Sequence, residues 1–383
     1  MKQPAHRDVP LCRPQIGPAE TKAVVQVLES GWLAHGPKNH ELEKQFQALT
    51  GAPYAIAMNS CTSALQLAVE ARGVTGEVIL PSFTFVASAN AVVTAGATPV
   101  LVDIDPVTRC ADPEAIAAAV GPRTEAVMAV HYGGQLADME PIAKTCERHG
   151  LALIEDSAET IGALYRGRPQ GAFGDGCFSF FPTKNITTGE GGLLTTHDAE
   201  LHRKARALIA HGIESTTLER EKAERPWLRA ATYAGYNFRM SHLLATLGVE
   251  QMKRLDEFTA GRRRVAARYL EALAGIDGLE LPVIADGRTH VWQMFTVIVR
   301  EAKRTELLAK LRSVGVGASV HFDPPVHRQP RYRDAKVGPG GLAHTDQVAE
   351  RIVTLPMDPG LGDADIDHVV AALRWALATT PRA

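Results

Sequence analysis

The sequence has few of the features that mark secreted, membrane or zinc-binding proteins. Its 383 residues include five cysteines, an odd number, and none stands at C-x-x-C spacing. This pattern supports neither a disulfide framework nor a zinc site. No apolar run approaches the length of a membrane span, and the opening MKQPAHRDVPLCRP lacks the apolar centre of a signal peptide. We therefore expect a cytoplasmic protein with reduced thiols, no membrane partner and no bound metal.

The sequence also lacks an excess of charge of either sign. It contains 41 lysines and arginines against 43 aspartates and glutamates, a net charge of −2. No overall attraction to nucleic acid is predicted, so an anionic ligand would need a local site. A Walker-type lysine motif and a helix-opening GxGxxG are both missing. Nucleotide hydrolysis and dinucleotide redox chemistry therefore have no support.

Short apolar runs alternate with helical patterns through the first half of the chain. GEVILPS, TPVLVDID, AVMAVHY and LALIEDSA are predicted strands, and DMEPIAKTCERHG is a predicted helix that ends at a glycine. This alternation predicts an α/β fold with a mostly parallel sheet between helices. Ligands of such sheets bind beyond the carboxyl ends of the strands, so the residues that follow each run are the site candidates.

The pattern changes near residue 250, and at this length two domains are expected. We predict a large α/β domain over 1–250 and a smaller C-terminal α+β domain over 251–383. The second part contains one long connecting helix, EQMKRLDEFTAGRRRVAARYLEALAG, two strands, VWQMFTVIV and VGASVHF, and two helices, RTELLAKLRSVG and DADIDHVVAALRWAL. The highly charged GIESTTLEREKAERPWLRAATYAG is a long loop, either functional or disordered.

A lysine between an aromatic segment and a glycine cluster points to covalent chemistry. Lys184 lies in SFFPTKNITTGEGG, and Asp156 ends the apolar run of LALIEDSA. Two neighbouring strands of one sheet would bring both into one crevice. An amine and a carboxylate one ring apart suit pyridoxal 5'-phosphate, because the amine forms a Schiff base and the carboxylate keeps the ring nitrogen protonated. Taken alone, an ordinary surface lysine and a strand-end cap explain the same two residues.

A candidate phosphate site lies in NSCTSALQLAVEA, where small polar residues open an apolar-periodic helix. The N-terminus of a helix offers free N–H groups and the positive end of the helix dipole. Hydroxyl groups that would complete such a site belong to Thr62, Ser63 and Ser179. An ordinary serine or threonine cap is the alternative interpretation of the same residues.

Together these motifs resemble the DegT–DnrJ–StrS family of nucleotide-sugar aminotransferases, which have the type I fold of pyridoxal phosphate enzymes. The resemblance covers nearly the whole chain, with the motifs in family order: SGWLAHGP, NSCTSALQLA, PSFTFVASANAV, VHYGGQLADM, EDSAETIGA, GDGCFSFFPTKNITTGEGG, GYNFRMS and VHFDPPVHRQP. It implies a seven-stranded type of sheet in the large domain. It also implies transfer of an amino group from an amino acid, expected to be L-glutamate, to a keto sugar on a nucleoside diphosphate.

The resemblance implies a role for each matching residue. Lys184 would hold the cofactor and move the proton, and Asp156 would bind the ring nitrogen. Phe85 would stack on the ring, and Glu159 would lie beside it, where many relatives carry Gln or His. The remaining cofactor contacts would come from Cys61, Thr62, Ser63 and Ser179 and, across the interface of a homodimer, from Asn237.

The diphosphate and sugar of the substrate would need cationic or imidazole side chains near the cofactor. Each candidate is also explained as an ordinary surface or packing residue. The candidates are Arg229, Arg239, His321, His327, Arg328, Arg331 and Arg333.

Lys184 and Asp156 also bear on the other functions known for this fold. Sugar dehydratases of the family replace the lysine with histidine, which Lys184 argues against. A cyclitol ketone as amino acceptor stays open. A non-catalytic regulatory relative is disfavoured, because a binding protein would need neither Lys184 nor Asp156.

Overall fold

The computed structural model describes residues 2–214, 225 and 227–382. The charged loop predicted over 212–235 therefore lies partly outside the described residues. The helices of the described residues, numbered in chain order, are α1 (Pro18–Ser30), α2 (Pro37–Thr50), α3 (Cys61–Ala71), α4 (Ala87–Thr94), α5 (Pro113–Ala119), α6 (Met139–His149), α7 (Ala199–Leu208), α8 (His242–Lys253), α9 (Leu255–Leu273), α10 (Arg304–Ser313), α11 (Ala343–Arg351) and α12 (Asp363–Thr379).

Local sequence explains where several helices begin and end. The side chains of Ser60, Asp198 and Ser241 accept backbone N–H groups at the starts of α3, α7 and α8, where helical N–H groups lack carbonyl partners. The predicted helix end at Gly150 is confirmed, since this residue closes α6 with a φ of 64°.

The strands, numbered in the same way, are β1 (Tyr54–Met58), β2 (Glu77–Pro81), β3 (Thr98–Val102), β4 (Thr124–Val130), β5 (Ala152–Asp156), β6 (Leu164–Tyr165), β7 (Arg168–Pro169), β8 (Asp175–Ser179), β9 (Gly192–Thr196), β10 (Leu279–Glu280), β11 (Phe295–Val299), β12 (Lys336–Val337) and β13 (Ile352–Leu355). β6 and β7 form a small hairpin of their own. The four strands predicted in the first half correspond to β2, β3, β4 and β5.

The central sheet has the order β1-β9-β8-β5-β4-β2-β3-β12. All pairs from β8 to β12 in this order are parallel, and β9 pairs antiparallel with both β8 and β1. The α/β class and the mostly parallel sheet are confirmed. Seven strands come from the first half of the chain, and the short β12 adds an eighth at the edge beside β3.

A second core lies in the C-terminal part of the chain. β10, β11 and β13 form an antiparallel sheet, and α9, α10 and α12 pack with it around buried residues such as Tyr269, Phe295 and Leu373. Val9, near the start of the chain, belongs to the same hydrophobic cluster. The division of the chain at residue 250 stays a prediction.

Two sequence predictions in this part are wrong. The long connecting helix is broken at Arg254, whose φ is −107° and whose guanidinium binds Glu20 of α1 and Glu257. The segment VGASVHF is not a strand, because its two backbone bridges, from Val316 and Ser319, go to different neighbours and form no continuous ladder. In VWQMFTVIV only the second half, β11, is a strand.

Two further observations concern membrane-spanning helices and the cysteine thiols. In the part of the chain that the structure describes, no helix has both the length and the apolarity to cross a membrane. All five cysteines are free thiols, and four of them are buried.

Candidate active site

The predicted site residues gather at the carboxyl ends of the central strands. Asp156 is the last residue of β5, Ser179 the last of β8, and Lys184 lies in the loop that joins β8 to β9. These ends surround a cavity of about 340 Å³. The predicted residues that line it are Cys61, Thr62, Phe85, Asp156, Glu159, Ser179, Lys184 and His321.

Asp156 lies at the floor of this cavity, almost completely buried. Its Oδ2 accepts a hydrogen bond of 2.8 Å from the hydroxyl of Ser88, and its Oδ1 accepts one of 3.3 Å from the N–H of Ala158. Burial raises the pKa of the Asp156 carboxyl, and these hydrogen bonds and the charge of Lys184 offset only part of that effect. A cationic N–H donor in the cavity would therefore stabilise the ionised carboxylate.

Lys184 and Glu159 form an ion pair inside the cavity. The distance from Lys184 Nζ to Glu159 Oε1 is 3.2 Å, and both side chains are largely shielded from solvent. The other oxygen of Glu159 accepts a hydrogen bond of 2.9 Å from the N–H of Gly133. The lysine amine is thus held beside a carboxylate that is itself fixed by the backbone.

The N-terminus of α3 forms another wall of the cavity. Thr62 and Ser179 line this wall, whereas Ser63 does not, because its hydroxyl donates to Asn59 at 2.8 Å and its N–H to Ser60 at 3.1 Å. Gly192 allows the helix to approach the sheet. A Cβ there would lie 2.3 Å from the backbone of Ser60 and Cys61, closer than real atoms approach.

Phe85 and His321 lie near the mouth of the cavity. Phe85 is 62% exposed, and its ring centre is 6.2 Å from that of Phe322. His321 accepts or donates a hydrogen bond of 3.0 Å with the hydroxyl of Thr354, and burial lowers the pKa of its imidazole. An exposed aromatic ring and an imidazole with a lowered pKa therefore line the cavity, each in contact with the ring of Phe322.

Other predicted residues lie outside this cavity. Asn237 is exposed on the surface. His327 Nδ1 is 2.8 Å from the hydroxyl of Ser82 and its Nε2 is 3.0 Å from Asp346, so both ring nitrogens are used in hydrogen bonds. Arg328 pairs with Asp346 and Glu350, and Arg331 and Arg333 are exposed.

Arg229 and Arg239 come together at a second cavity of about 410 Å³. Arg206, His35 and Glu214 line the same cavity, and burial lowers the pKa of the His35 imidazole to about 4, so the arginines carry the positive charge there. The structure thus groups two of the predicted substrate residues, but at a place apart from Lys184 in the same chain.

Sequence reasoning missed several residues that the structure places at the site. Ser88, the hydrogen-bond donor to Asp156, lies in the motif PSFTFVASANAV and was detectable as a polar residue on α4. Phe322 also lines the cavity and lies in the motif VHFDPPVHRQP, whereas Gln293 and Met294 line it without any local signal in the sequence.

Comparison with known proteins now decides the family. Residues 14–374 match the model of the DegT/DnrJ/EryC1/StrS aminotransferase family. The chain belongs to this family. The aminotransferase is 40% identical over 383 residues to the spore coat polysaccharide biosynthesis protein SpsC of Bacillus subtilis strain 168, with 98% of each chain covered.

Solved structures agree with this assignment. The aminotransferase is similar to DesV of S. venezuelae in complex with a ketimine intermediate, with a TM-score of 0.87, 34% identity and coverage of 96% and 98% of the two chains. It is also similar to DesI in the presence of its TDP-sugar product, with a TM-score of 0.88, 34% identity and coverage of 98% and 95%. The family and these neighbours are pyridoxal-phosphate-dependent aminotransferases of fold type I. The predicted family, fold and enzyme class are therefore confirmed.

Proposed function

We propose that this aminotransferase moves the amino group of L-glutamate to a keto sugar carried on a nucleoside diphosphate. The observation that carries the proposal is the convergence of Lys184, Asp156 and the N-terminus of α3 on one cavity. The acceptor class is supported by two relatives: DesI has been solved with a TDP-sugar product, and SpsC is a polysaccharide biosynthesis protein.

The residues of the cavity fit pyridoxal 5'-phosphate. Asp156 is a buried carboxylate with a raised pKa, so a protonated ring nitrogen would be a favourable partner for it. Thr62 and Ser179 stand with the N–H groups at the start of α3, which suits a phosphate. Lys184 faces the same cavity and supplies the amine that would bind the aldehyde. Cys61 lines the wall between them as a small buried side chain.

When bound, the cofactor supplies an electron sink that stabilises the negative charge left when the substrate carbon loses a proton. Lys184 would first hold the cofactor and, once displaced by the substrate amine, take up that proton and return it. Glu159 keeps the amine in place through the 3.2 Å contact. Phe85, Phe181 and Phe322 contribute apolar surface to the lining of the cavity. Because the amino group would stay in the site after the first product has left and before the acceptor binds, the exchange would be ping-pong.

We also propose that the enzyme is a homodimer whose sites are completed across the interface. Asn237 is exposed and lies outside the cavity of its own chain, so its predicted phosphate contact would have to reach a second copy. Exposed apolar side chains, Trp32 and Leu33, stand near the second cavity and would be covered in a dimer. The free state of all five thiols supports a location in the reducing cytoplasm.

The acceptor is tested with a panel of ketones. Enzyme loaded with glutamate is freed of the amino acid and mixed with keto sugars on different nucleoside diphosphates, and with a cyclitol ketone. The visible absorption of the original cofactor form should return with a keto sugar nucleotide. Recovery with the cyclitol ketone alone, or with no compound of the panel, would overturn the proposed acceptor.

The shared site is tested by mixing two inactive chains. Lys184→Ala and Asn237→Ala proteins are prepared separately, and then combined under conditions that exchange subunits. If Asn237 serves the partner's cavity, the mixed dimer contains one site with both residues intact, and activity rises toward a quarter or half of the wild type. Absence of recovery in a dimer that has demonstrably exchanged would contradict the proposal.

A further inference from the structure

We propose that Arg262 and Gln293 are positioning residues that fix the place of Lys184 by holding its backbone against segment 291–293. Neither residue belongs to the predicted site, and Arg262 does not line the cavity. The inference rests on the covalent role proposed for Lys184 and concerns how the protein orients the Lys184 amine.

The lysine and its two neighbours are each bound to the same segment or to Arg262. The side-chain amide of Gln293 donates to the carbonyl of Thr183 at 3.0 Å, and the amide of Asn185 donates to the carbonyl of Val291 at 3.0 Å. Between them, Arg262 Nη2 donates to the carbonyl of Lys184 at 3.4 Å. The backbone that carries the amine is thus restrained on both sides and at its centre.

Arg262 joins this backbone to the segment opposite it. Its Nη1 donates to the carbonyls of Trp292 and Gln293, both at 3.1 Å, and to that of Met357 at 3.4 Å. A planar guanidinium with five N–H donors can serve several carbonyls at once, which a lysine cannot do in the same geometry. Arg262 therefore bridges three chain segments through a single side chain.

The burial of Arg262 is unusual for a cation. The residue is 2% exposed, none of the ion pairs of the described residues includes it, and Cys12 and the charge of Asp358 only partly offset the effect of burial on its pKa. Burial lowers the pKa of its guanidinium, which shows that the surroundings disfavour the charge. Because Arg262 has no ion-pair partner in the described part of the chain, its guanidinium acts mainly through hydrogen bonds to backbone carbonyls, and one of these carbonyls belongs to Lys184.

Backbone strain in the segment supports the same role. Trp292 has a φ of 49°, a left-handed conformation that is rare for a large side chain. Its ring stacks on His290 with a centre-to-centre distance of 3.9 Å, and its carbonyl is held by Arg262. Such strain persists only where the surroundings determine it, and it concentrates at functional sites.

The segment also fixes the second group that contacts the amine. The N–H of Met294 donates to the carbonyl of Gly133 at 3.2 Å, and the N–H of Val291 donates to the carbonyl of Gly134 at 2.8 Å. Gly133 in turn donates to Glu159, the partner of Lys184. Both the lysine and its carboxylate partner are therefore positioned from one short stretch, residues 291–294.

The test compares three variants with a matched control. Arg262→Met and Gln293→Met remove the side-chain N–H donors to the backbone carbonyls. Arg262→Lys keeps the positive charge but loses the planar guanidinium with its several N–H groups. Arg109→Met is the control, because Arg109 is also buried and also donates to the C-terminal sheet, at 2.8 Å to Thr296 Oγ1, but does not contact 183–185. Each protein is loaded with cofactor, and its melting temperature, the pH titration of its visible absorption band, and kcat and KM for glutamate are measured.

We expect Arg262→Met to lower kcat by about 100-fold, since a misplacement of about 1 Å has that effect, with KM for glutamate near the wild-type value. Its visible band should titrate at a shifted midpoint. Gln293→Met should change kcat and the titration midpoint in the same direction but by less. Arg262→Lys should have a kcat between those of Arg262→Met and the wild type. Arg109→Met should lose melting temperature but keep the wild-type midpoint.

Two results would overturn the inference. One is an unchanged midpoint and kcat in Gln293→Met and in folded Arg262→Met. The other is a shift of the titration midpoint in Arg109→Met as large as that in Arg262→Met, when the two variants lose the same melting temperature. Failure of the proposed function is recognised separately, by borohydride reduction and peptide mapping of the wild type. In that case the reduced cofactor adduct would be missing from Lys184. If Arg262→Met does not fold, Gln293→Met against the control decides the matter.

Discussion

Lys184 Nζ lies 3.2 Å from Glu159 Oε1, and the second oxygen of Glu159 accepts the N–H of Gly133 at 2.9 Å. The reactive amine is therefore paired with a carboxylate whose position is set by the backbone. The amine must leave this contact before it can attack an aldehyde. The pair holds the lysine in place at the expense of its immediate reactivity.

Glu159→Gln should speed the uptake of pyridoxal phosphate by cofactor-stripped protein near neutral pH. The amide keeps the shape and can still accept the Gly133 hydrogen bond, but the Lys184 amine no longer has to break an ion pair before it attacks the aldehyde. The growth of visible absorption after rapid mixing measures the rate. Glu140→Gln is the control, because Glu140 pairs with Arg166 on the surface. Slower uptake in Glu159→Gln would show that the carboxylate assists the attack.

Asp156→Asn should change the stability of the cofactor-free protein in a pH-dependent way. Burial raises the pKa of this carboxyl above its ordinary 3.8, so the folded state holds the proton more tightly than the unfolded chain. Stability of the wild type therefore falls as pH rises from about 3.8 through the raised pKa of the folded state. The variant lacks this loss and should unfold at a higher urea concentration at pH 7, with the difference shrinking in acid. A less stable variant at pH 7 would contradict the expectation.

The same substitution should have the opposite effect once the cofactor is bound. Removing one member of a buried ion pair costs roughly 3–5 kcal/mol, which corresponds to about two to nearly four orders of magnitude in cofactor affinity. Absorbance titration of the stripped protein with pyridoxal phosphate measures the dissociation constant. Equal affinities for wild type and Asp156→Asn would exclude Asp156 as the partner of the ring nitrogen.

The parts of the site that the sequence could predict are those set by local patterns. Apolar runs define the strands, and the ends of parallel strands meet at one edge, so Asp156 and Lys184 could be placed together in advance. The N-terminus of α3 was likewise visible as a polar stretch before an apolar helix. Ser63 is the exception in this group, because its hydroxyl is used inside the cap by Asn59 and Ser60.

The parts that could not be predicted depend on contacts between distant segments. Arg262 reaches Lys184, and Gln293 reaches the neighbouring Thr183, only because α9 and the segment before β11 pack against the loop after β8. The break at Arg254 depends on Glu20 from α1, and a strand over VGASVHF fails for want of a continuous partner. Periodicity within one segment carries no information about such partners.

The ion pair between Glu43 and Arg206 should govern part of the acid sensitivity of the fold. Burial alone would raise the pKa of the Glu43 carboxyl, but Arg206 at 2.7 Å and hydrogen bonds from His40 and the N–H of Ala57 lower it to about 2. The stabilisation is present above the ordinary value of 4.5 and is lost as pH falls through about 2.

Arg206→Met should therefore lower the free energy of unfolding at pH 7 by roughly 3–5 kcal/mol, because it leaves a buried carboxylate unpaired. The difference in the free energy of unfolding between the wild type and Arg206→Met should narrow as pH falls below 4.5. Urea unfolding followed between pH 7 and pH 3 measures it, and the double variant Glu43→Gln/Arg206→Met should recover part of the loss. A gap that is the same at every pH would mean that the pair contributes by packing alone.

Gly192→Ala should weaken cofactor binding by displacing the N-terminus of α3. The new Cβ would meet backbone atoms of Ser60 and Cys61 at 2.3 Å, so either the helix start or β9 must move. Loss of one charge-assisted hydrogen bond to the phosphate costs about 1.5–3 kcal/mol, an order of magnitude or more in affinity. Gly121→Ala is the control, since no atom lies within 4 Å of its Cβ position and its φ is not left-handed. Titration with pyridoxal phosphate should separate the two variants, while equal dissociation constants would show that the phosphate does not depend on the position of this helix.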